Sequence, residues 1–166
     1  MSLITLSDPD WTVQFAPEFQ SEFQQLADPV KTELLARLAV LRAFGPRLGR
    51  PSVDTLKGSR YVNMKELRFA AAGGVWRVAF AFDVSRRAVL LVAGNKSGIG
   101  QAQFYSGLIQ RADKRFSTHL EDSTVKDKPK SGTAAKGRTL DDVMKSLTPM
   151  QRERRTKDLE TIMNCL

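Results

Sequence analysis

Three basic side chains near the middle of the chain, Arg68, Arg77 and Lys96, have the chemistry to bind a phosphate group together. Each lies in a run of residues with strand composition, and the first two runs flank Gly73-Gly74, a dipeptide typical of a two-residue hairpin turn. Cations gathered on one face of a sheet can clamp a phosphate and stabilise the charge that develops during phosphoryl transfer. A lysine crowded by arginines can also exchange protons.

The turn at Gly73-Gly74 predicts the relative positions of the two arginines. If Ala72 pairs with Val75, then Arg68 and Arg77 are diagonal neighbours on one face, about 7 Å apart at the backbone. The other side chains of that face are mostly alanine, which leaves room for a ligand. The opposite face is predicted to be apolar and to carry Leu67, Phe69, Trp76, Val78 and Phe80.

The connection to the third strand decides whether Lys96 joins this face. Taking the four residues between Asp83 and Ala88 as a loop pairs those two residues and places Arg77 opposite Gly94. Lys96 then lies on the same side of the sheet as Arg77. A slip of one residue would move it to the other side, because side chains alternate along a strand.

A loop before the first of these strands adds candidates that are predicted to frame one edge of the same surface and to bind nucleic acid. They are Lys57, Arg60, Tyr61 and Lys65. Tyr61 can stack on a base or pass a proton. The alternatives are a loop tyrosine that packs against the sheet and cations that are simply solvated.

Positive charge is concentrated in the same part of the chain. The 166 residues carry a net charge of +8, and residues 47–119 hold thirteen Lys or Arg against four Asp or Glu, whereas residues 1–46 hold three against six. A basic zone in the folded core is typical of proteins that bind a phosphate backbone. The alternative is a basic surface that binds nothing specific.

Other classes of chemistry lack the residues they need. The chain has one Cys, Cys165, and one His, His119, which excludes a Cys-based zinc site, an intrachain disulfide and a two-histidine acid–base pair. The sequence contains none of the familiar nucleotide-binding or hydrolase motifs, so we expect neither a metal nor a cofactor. No run of about 18 apolar residues and no signal-peptide pattern is present, so we expect a cytoplasmic protein with no membrane partner.

The elements that must position these residues indicate an α+β fold. A short strand near residues 12–15 precedes two helices, the second starting at Asp28-Pro29 and ending at Gly45-Pro46, and three strands lie within residues 66–96. A helix with apolar residues four apart follows from about Gln101 to Leu120. The prediction is two N-terminal helices packed on a small antiparallel sheet with a C-terminal helix.

Composition divides the chain into three parts. A folded domain over residues 1–121 is followed by a linker over residues 122–137, rich in Lys, Ser, Thr and Gly, and by a helical tail over residues 138–166. Thr139 and Thr148 are predicted to begin two short helices in the tail. Their apolar residues are too few for an independent core, so the tail must dock on something or stay mobile.

Several ordered blocks of the sequence are characteristic in combination. They read LKGSRYVNMKELRF, GVWRVAFAFD, RRAVLLVAGNKSG and FYSGLIQRADKRF. Over roughly residues 10–120 the sequence resembles the phage-derived HigB-like branch of the RelE/ParE toxin superfamily. The positions that match functional positions of the family are Lys57, Lys65, Arg68, Arg77 and Lys96. The chain has Tyr61 and Asn95 where such toxins often have histidine and aspartate.

The resemblance implies an activity and partners. It implies the toxin of a type II toxin-antitoxin pair, a metal-independent endoribonuclease that cuts mRNA on the ribosome and that binds a HigA-like antitoxin. ParE-type relatives share the fold and target DNA gyrase, so a gyrase inhibitor or a non-catalytic nucleic-acid-binding protein is the alternative. The tail segment KGRTLDDVMKSLTPMQRERRTKDLE is similar to the start of HigA-like antitoxins, and it either folds back over the basic face or has no effect.

Overall fold

The computed structural model describes residues 11–125 and 138–146, which form a five-stranded sheet packed by helices. The strands are β1 (Thr12–Phe15), β2 (Val53–Thr55), β3 (Met64–Ala71), β4 (Gly74–Phe82) and β5 (Arg87–Asn95). The helices are α1 (Pro17–Gln25), α2 (Asp28–Phe44), α3 (Gln101–Val125) and α4 (Leu140–Lys145), with a 3₁₀ turn at Gly45–Arg47. The predicted α+β fold is confirmed. The helix predicted to start at Thr148 lies outside the described residues.

The sheet is mixed rather than purely antiparallel, which corrects the prediction. Its strand order is β1-β5-β4-β3-β2, and β1 runs parallel to β5 while the other neighbours are antiparallel. A parallel pair needs a crossover connection, because the chain must return to the same end of the sheet before the second strand begins. Here α1, α2 and the hairpin strands lie between β1 and β5.

The β3–β4 hairpin turns one residue earlier than predicted. Ala71 pairs with Gly74, and the turn residues Ala72 and Gly73 have φ of 50° and 71°, as the favoured two-residue turn requires. Gly74 serves a different purpose, because a Cβ there would lie 2.7 Å from the side-chain amide nitrogen of Asn95. The predicted pairing of Ala72 with Val75 is therefore wrong by two residues in register.

The β4–β5 connection is also shorter than predicted, and a bulge compensates for it. The backbone N–H of Asp83 donates to the Arg87 carbonyl, so the loop has three residues and the predicted pair of Asp83 with Ala88 does not form. Farther along, a β-bulge leaves Leu91 without a partner and shifts the register by one. The predicted pairing of Arg77 with Gly94 is consequently confirmed.

The two faces of the sheet carry different helices. On one face α2 packs on β3 and α1 on β5, over side chains that include the buried Leu67 and Phe80. On the other face α3 packs on β4 and β5. Gly94 permits this approach, because a Cβ there would lie 2.8 Å from the Phe104 ring. No helix within the described ranges combines the length and apolar character needed to cross a membrane.

The helix α3 extends to Val125, beyond the predicted end near Leu120. Its last turns are polar, and two of the hydroxyl groups bond to carbonyls one turn back: Ser123 Oγ to His119 (2.8 Å) and Thr124 Oγ1 to Glu121 (2.7 Å). The hydroxyls of these small polar residues thus bond within the helix, whereas composition alone favours a linker.

Candidate active site

The centre of the site is a direct cross-strand pair of Arg68 on β3 and Arg77 on β4. The corrected register makes them directly opposite neighbours, with Cα atoms about 4.5–5.5 Å apart, rather than diagonal ones. Two like charges this close repel each other. The charge of Arg68 is compensated by carboxylates, whereas Arg77 is held by hydrogen bonds to neutral oxygens.

Arg68 is held by two carboxylates. Its Nη2 lies 2.6 Å from Glu66 Oε1 and 3.0 Å from Asp54 Oδ2, and its Nε donates to the same Glu66 oxygen at 2.8 Å. Glu66 shares the face of Arg68 because it lies two residues earlier on the strand. The hydrogen bond that Arg68 donates to Glu66 raises the pKa of Arg68, so this cation stays charged.

Arg77 is bonded to the helix that covers the face. Its Nε donates to the Tyr105 hydroxyl at 3.3 Å, and its Nη1 donates to the Trp76 carbonyl at 2.9 Å. Lys96 approaches the same tyrosine, with its Nζ 5.6 Å from the centroid of the ring. The structure thus gathers Arg68, Arg77 and Lys96 around one surface, with Tyr105 contacting two of them.

A cavity of about 610 Å³ opens beside these groups, between β2, β3 and the start of α3. Its size is within the range of small-ligand sites. Its polar lining includes positively and negatively charged side chains. The polar lining residues are Arg50, Asp54, Thr55, Lys57, Glu66, Arg68, Gln101 and Tyr105. Asp54 is bonded to Arg50 (2.7 Å), which holds the pKa of Asp54 below its ordinary value, with the Thr55 amide and Arg68 adding to the effect.

Two side chains are suited to move protons. Burial raises the pKa of Tyr105, and the nearby Glu66 raises it further while Arg77 opposes them, so the phenol stays protonated at neutral pH. Glu66 is 2% exposed, and its Oε2 is buried without a well-formed hydrogen bond, with the Tyr105 hydroxyl as its nearby polar neighbour. A buried carboxylate oxygen in this state is costly, so it is a candidate for a functional role.

Sequence reasoning missed Glu66. The available signal was its position two residues before Arg68 in the run KELRF, which places an acid and a base on one face of a strand. Burial and contact with Tyr105 depend on α3, and these could not be inferred from spacing within the strand.

The structure brings one of the four loop candidates to the cavity, namely Lys57. Tyr61 packs on α3, where its hydroxyl lies 2.5 Å from Ser117 Oγ and its ring meets the edge of Phe116. Arg60 is exposed on the same loop. Lys65 lies on the face opposite to Arg68, because the two are an odd number of residues apart, and its Nζ donates to Thr55 Oγ1 at 3.1 Å.

No metal site accompanies these groups in the part of the chain that the structure describes, where no three His, Cys, Asp or Glu side chains cluster to hold an ion. Asn95 has a structural task, since its Oδ1 accepts from the backbone N–H of Val75 (3.2 Å) and of Ser97 (3.0 Å).

Residues 21–117, more than half of the chain, match the model of the family described as phage derived protein Gp49-like (DUF891), and the chain belongs to this family. The family is one of RelE/HigB-type toxins, so the resemblance noted from the sequence blocks is confirmed. The antitoxin-like tail lies outside the matched residues, and its resemblance stays a prediction.

Two relatives from Mycobacterium tuberculosis strain H37Rv are similar to the chain. One, named "Putative toxin HigB2", is 45% identical over 108 residues, which are 63% of this chain and 51% of that protein. The other, named "Putative toxin HigB3", is 38% identical over 104 residues, covering 63% of this chain and 89% of that protein. The match thus spans about half of the first relative and most of the second. No solved structure matches the chain significantly.

Proposed function

We propose that this protein is the toxin of a type II toxin-antitoxin pair and acts as a metal-independent endoribonuclease on ribosome-bound mRNA. The observation that carries the proposal is that Arg68, Glu66 and Tyr105 line one cavity. Arg77 and Lys96 both contact Tyr105 beside it. Membership of a toxin family and similarity to two proteins named as HigB toxins support it.

The reaction uses the 2′-hydroxyl of the RNA itself. This oxygen attacks the adjacent phosphorus while the bond from phosphorus to the 5′-oxygen breaks, which yields a 2′,3′-cyclic phosphate and a 5′-hydroxyl. One proton must leave the 2′-hydroxyl and one must reach the departing 5′-oxygen. The cations bind the phosphate and stabilise the extra negative charge of the transition state.

We assign the two proton transfers to the buried carboxylate and the tyrosine. Glu66 Oε2 accepts the 2′-proton, because Arg68 binds the other oxygen of that carboxylate and holds the side chain in place. The Tyr105 hydroxyl supplies the proton to the leaving oxygen. Its raised pKa keeps the proton in place beforehand, and the hydrogen bond from Arg77 stabilises the phenolate that forms.

The site has few groups that could bind and position an RNA, so we expect its activity to depend on the ribosome. Holding substrate in a reactive geometry lowers a barrier by several kcal/mol, up to about 7–11 in well-oriented cases, so a ribosome that positions mRNA can replace binding groups that the toxin lacks. We therefore expect the ribosome and mRNA as partners, a HigA-like antitoxin as the inhibitor, and the cytoplasm as the place of action.

The test is to induce the full chain in bacteria and to map new 5′ ends on translated and untranslated copies of one mRNA. We expect new ends on the translated copies alone, together with growth arrest. The Arg77→Ala/Lys96→Ala double variant should abolish both effects. Full activity in that variant, with its fold intact, would overturn the assigned site, and DNA damage with intact mRNA would favour gyrase inhibition instead.

A further inference from the structure

Residues 138–146 cover the outer edge of β1, the edge strand farthest in the sheet from β2 and from the cavity beside it. The backbone N–H of Phe15 donates to the Arg138 carbonyl at 2.9 Å, and Gln14 forms an isolated antiparallel bridge with Thr139. An open strand edge is a template for pairing with another chain, so this contact occupies a surface suited to peptide recognition. The expectation that the tail folds over the basic face does not hold for this described part.

The segment then forms the short helix α4, which carries a complete capping box. Thr139 Oγ1 accepts from the Asp142 backbone N–H (3.4 Å), and the Asp142 carboxylate accepts from the Thr139 N–H (3.2 Å). The first and fourth helical residues, Leu140 and Val143, are 2% and 5% exposed. The segment therefore docks through one backbone pairing and two apolar side chains.

The second helical residue, Asp141, forms an ion pair with the domain. Asp141 accepts a hydrogen bond from Arg42 Nη1 of α2 at 2.6 Å, although its side chain remains 67% exposed. A cavity of about 570 Å³ remains at this contact, lined by β1 residues as well as by the segment itself. We expect this contact to be weak, because a six-residue helix is marginally stable alone and an exposed ion pair contributes little.

We propose that this β1–α2 surface is a docking site for a segment of a partner protein, and that residues 138–146 occupy it reversibly in the absence of that partner. The partner segment has the same pattern: an extended residue that pairs with β1, then a capped helix with apolar first and fourth residues and a carboxylate second. Residues 126–137 join the resident segment to the domain and keep its local concentration high, so a partner enters only by displacing it. The docking does not depend on the nuclease function.

The experiment measures binding of a fluorescently labelled peptide of residues 136–148 to the full chain. The Leu140→Asp/Val143→Asp variant should release the resident segment and bind the peptide at least tenfold more tightly than the unmodified chain does. Lys114→Gln, at an exposed position of α3, should bind it as weakly as the unmodified chain. If the charged pair of substitutions prevents folding, Leu140→Ala/Val143→Ala serves the same comparison.

A charge exchange tests the specificity. Adding Arg42→Glu to the released variant should weaken binding of the peptide several-fold, and a peptide carrying Asp141→Arg should recover most of that loss. Equal binding to the released and unmodified chains, or no binding to a folded released chain, would overturn the proposal. A peptide affinity that is unchanged by the charge exchange would also overturn the proposal, since such binding would indicate nonspecific apolar contact.

Discussion

Arg68 and Arg77 face each other directly across the β3–β4 pair, and each guanidinium is held by a different set of partners. Arg68 is bonded to Glu66 and Asp54 from the sheet, whereas Arg77 is bonded to Tyr105 from α3. The pair is therefore preorganised to receive an anion without first moving either side chain. Preorganised charge is worth more in catalysis than charge that must reorient during the reaction.

Replacing the proposed proton acceptor should stop the reaction without unfolding the protein. Glu66→Gln keeps the shape of the side chain and its contact with Arg68 but cannot take a proton, so we expect the cleavage rate to fall about 100-fold or more. The measurement is single-turnover cleavage of ribosome-bound mRNA. Glu33→Gln, the same change in a partly buried ion pair with Arg37 outside the cavity lining, should leave the rate unaltered. Equal rates for both variants would contradict the assignment.

Removing the Tyr105 hydroxyl should slow the cleavage by a comparable factor, because the leaving 5′-oxygen then lacks its proton donor. Tyr105→Phe keeps the ring beside Lys96 but loses the proton donor and the bond to Arg77, so we expect about a 100-fold slower reaction. An RNA with a sulfur leaving atom needs no such proton, and it should be cut at nearly the same rate by the variant and the unmodified chain. If the variant is equally slow on both substrates, Tyr105 positions the RNA instead.

Acid should weaken the fold through Asp83. Burial raises the pKa of this carboxyl, but hydrogen bonds from His119 and from the Arg87 backbone and side chain lower it more, so the net shift is downward. The unfolded chain then binds the proton more readily, and the stabilisation, complete above the ordinary pKa of about 4, is lost as the pH falls through the folded-state pKa. Urea unfolding should show a steeper loss of stability below about pH 4 for the unmodified chain than for Asp83→Asn. Identical slopes would contradict this role.

Two glycines near α3 should respond to alanine in opposite directions. Gly94→Ala brings a Cβ to 2.8 Å from the Phe104 ring, so we expect a loss of about 1–3 kcal/mol in the free energy of unfolding. Gly107 is inside α3 with open space around it, so Gly107→Ala should add about 0.5–1 kcal/mol. Thermal and urea unfolding measure both. Stabilisation by the first change would mean that α3 lies farther from β5 than described.

The sequence predicted the class of fold better than it predicted how the strands pair. Strand composition and helix-start signals indicated the α+β architecture, but the Gly73-Gly74 signal misplaced the turn because Gly74 is required by a tertiary contact with Asn95. The bulge at Leu91 could not be predicted either. The Leu91 carbonyl accepts a hydrogen bond (2.7 Å) from Arg115, which lies on α3 and far along the sequence. The three cations of the site were predicted from alternation, whereas Tyr105 joins the site, and Glu66 becomes buried, only through the packing of α3.

The most direct measurement is the chemistry of the RNA ends made by the purified full chain on ribosomes carrying a defined mRNA. A reaction through the 2′-hydroxyl predicts a 2′,3′-cyclic phosphate on the upstream fragment and a 5′-hydroxyl on the downstream one, with no cutting of the same RNA free in solution. A 5′-phosphate on the downstream fragment, or no cleavage by a folded chain on ribosomes, would contradict the proposed function.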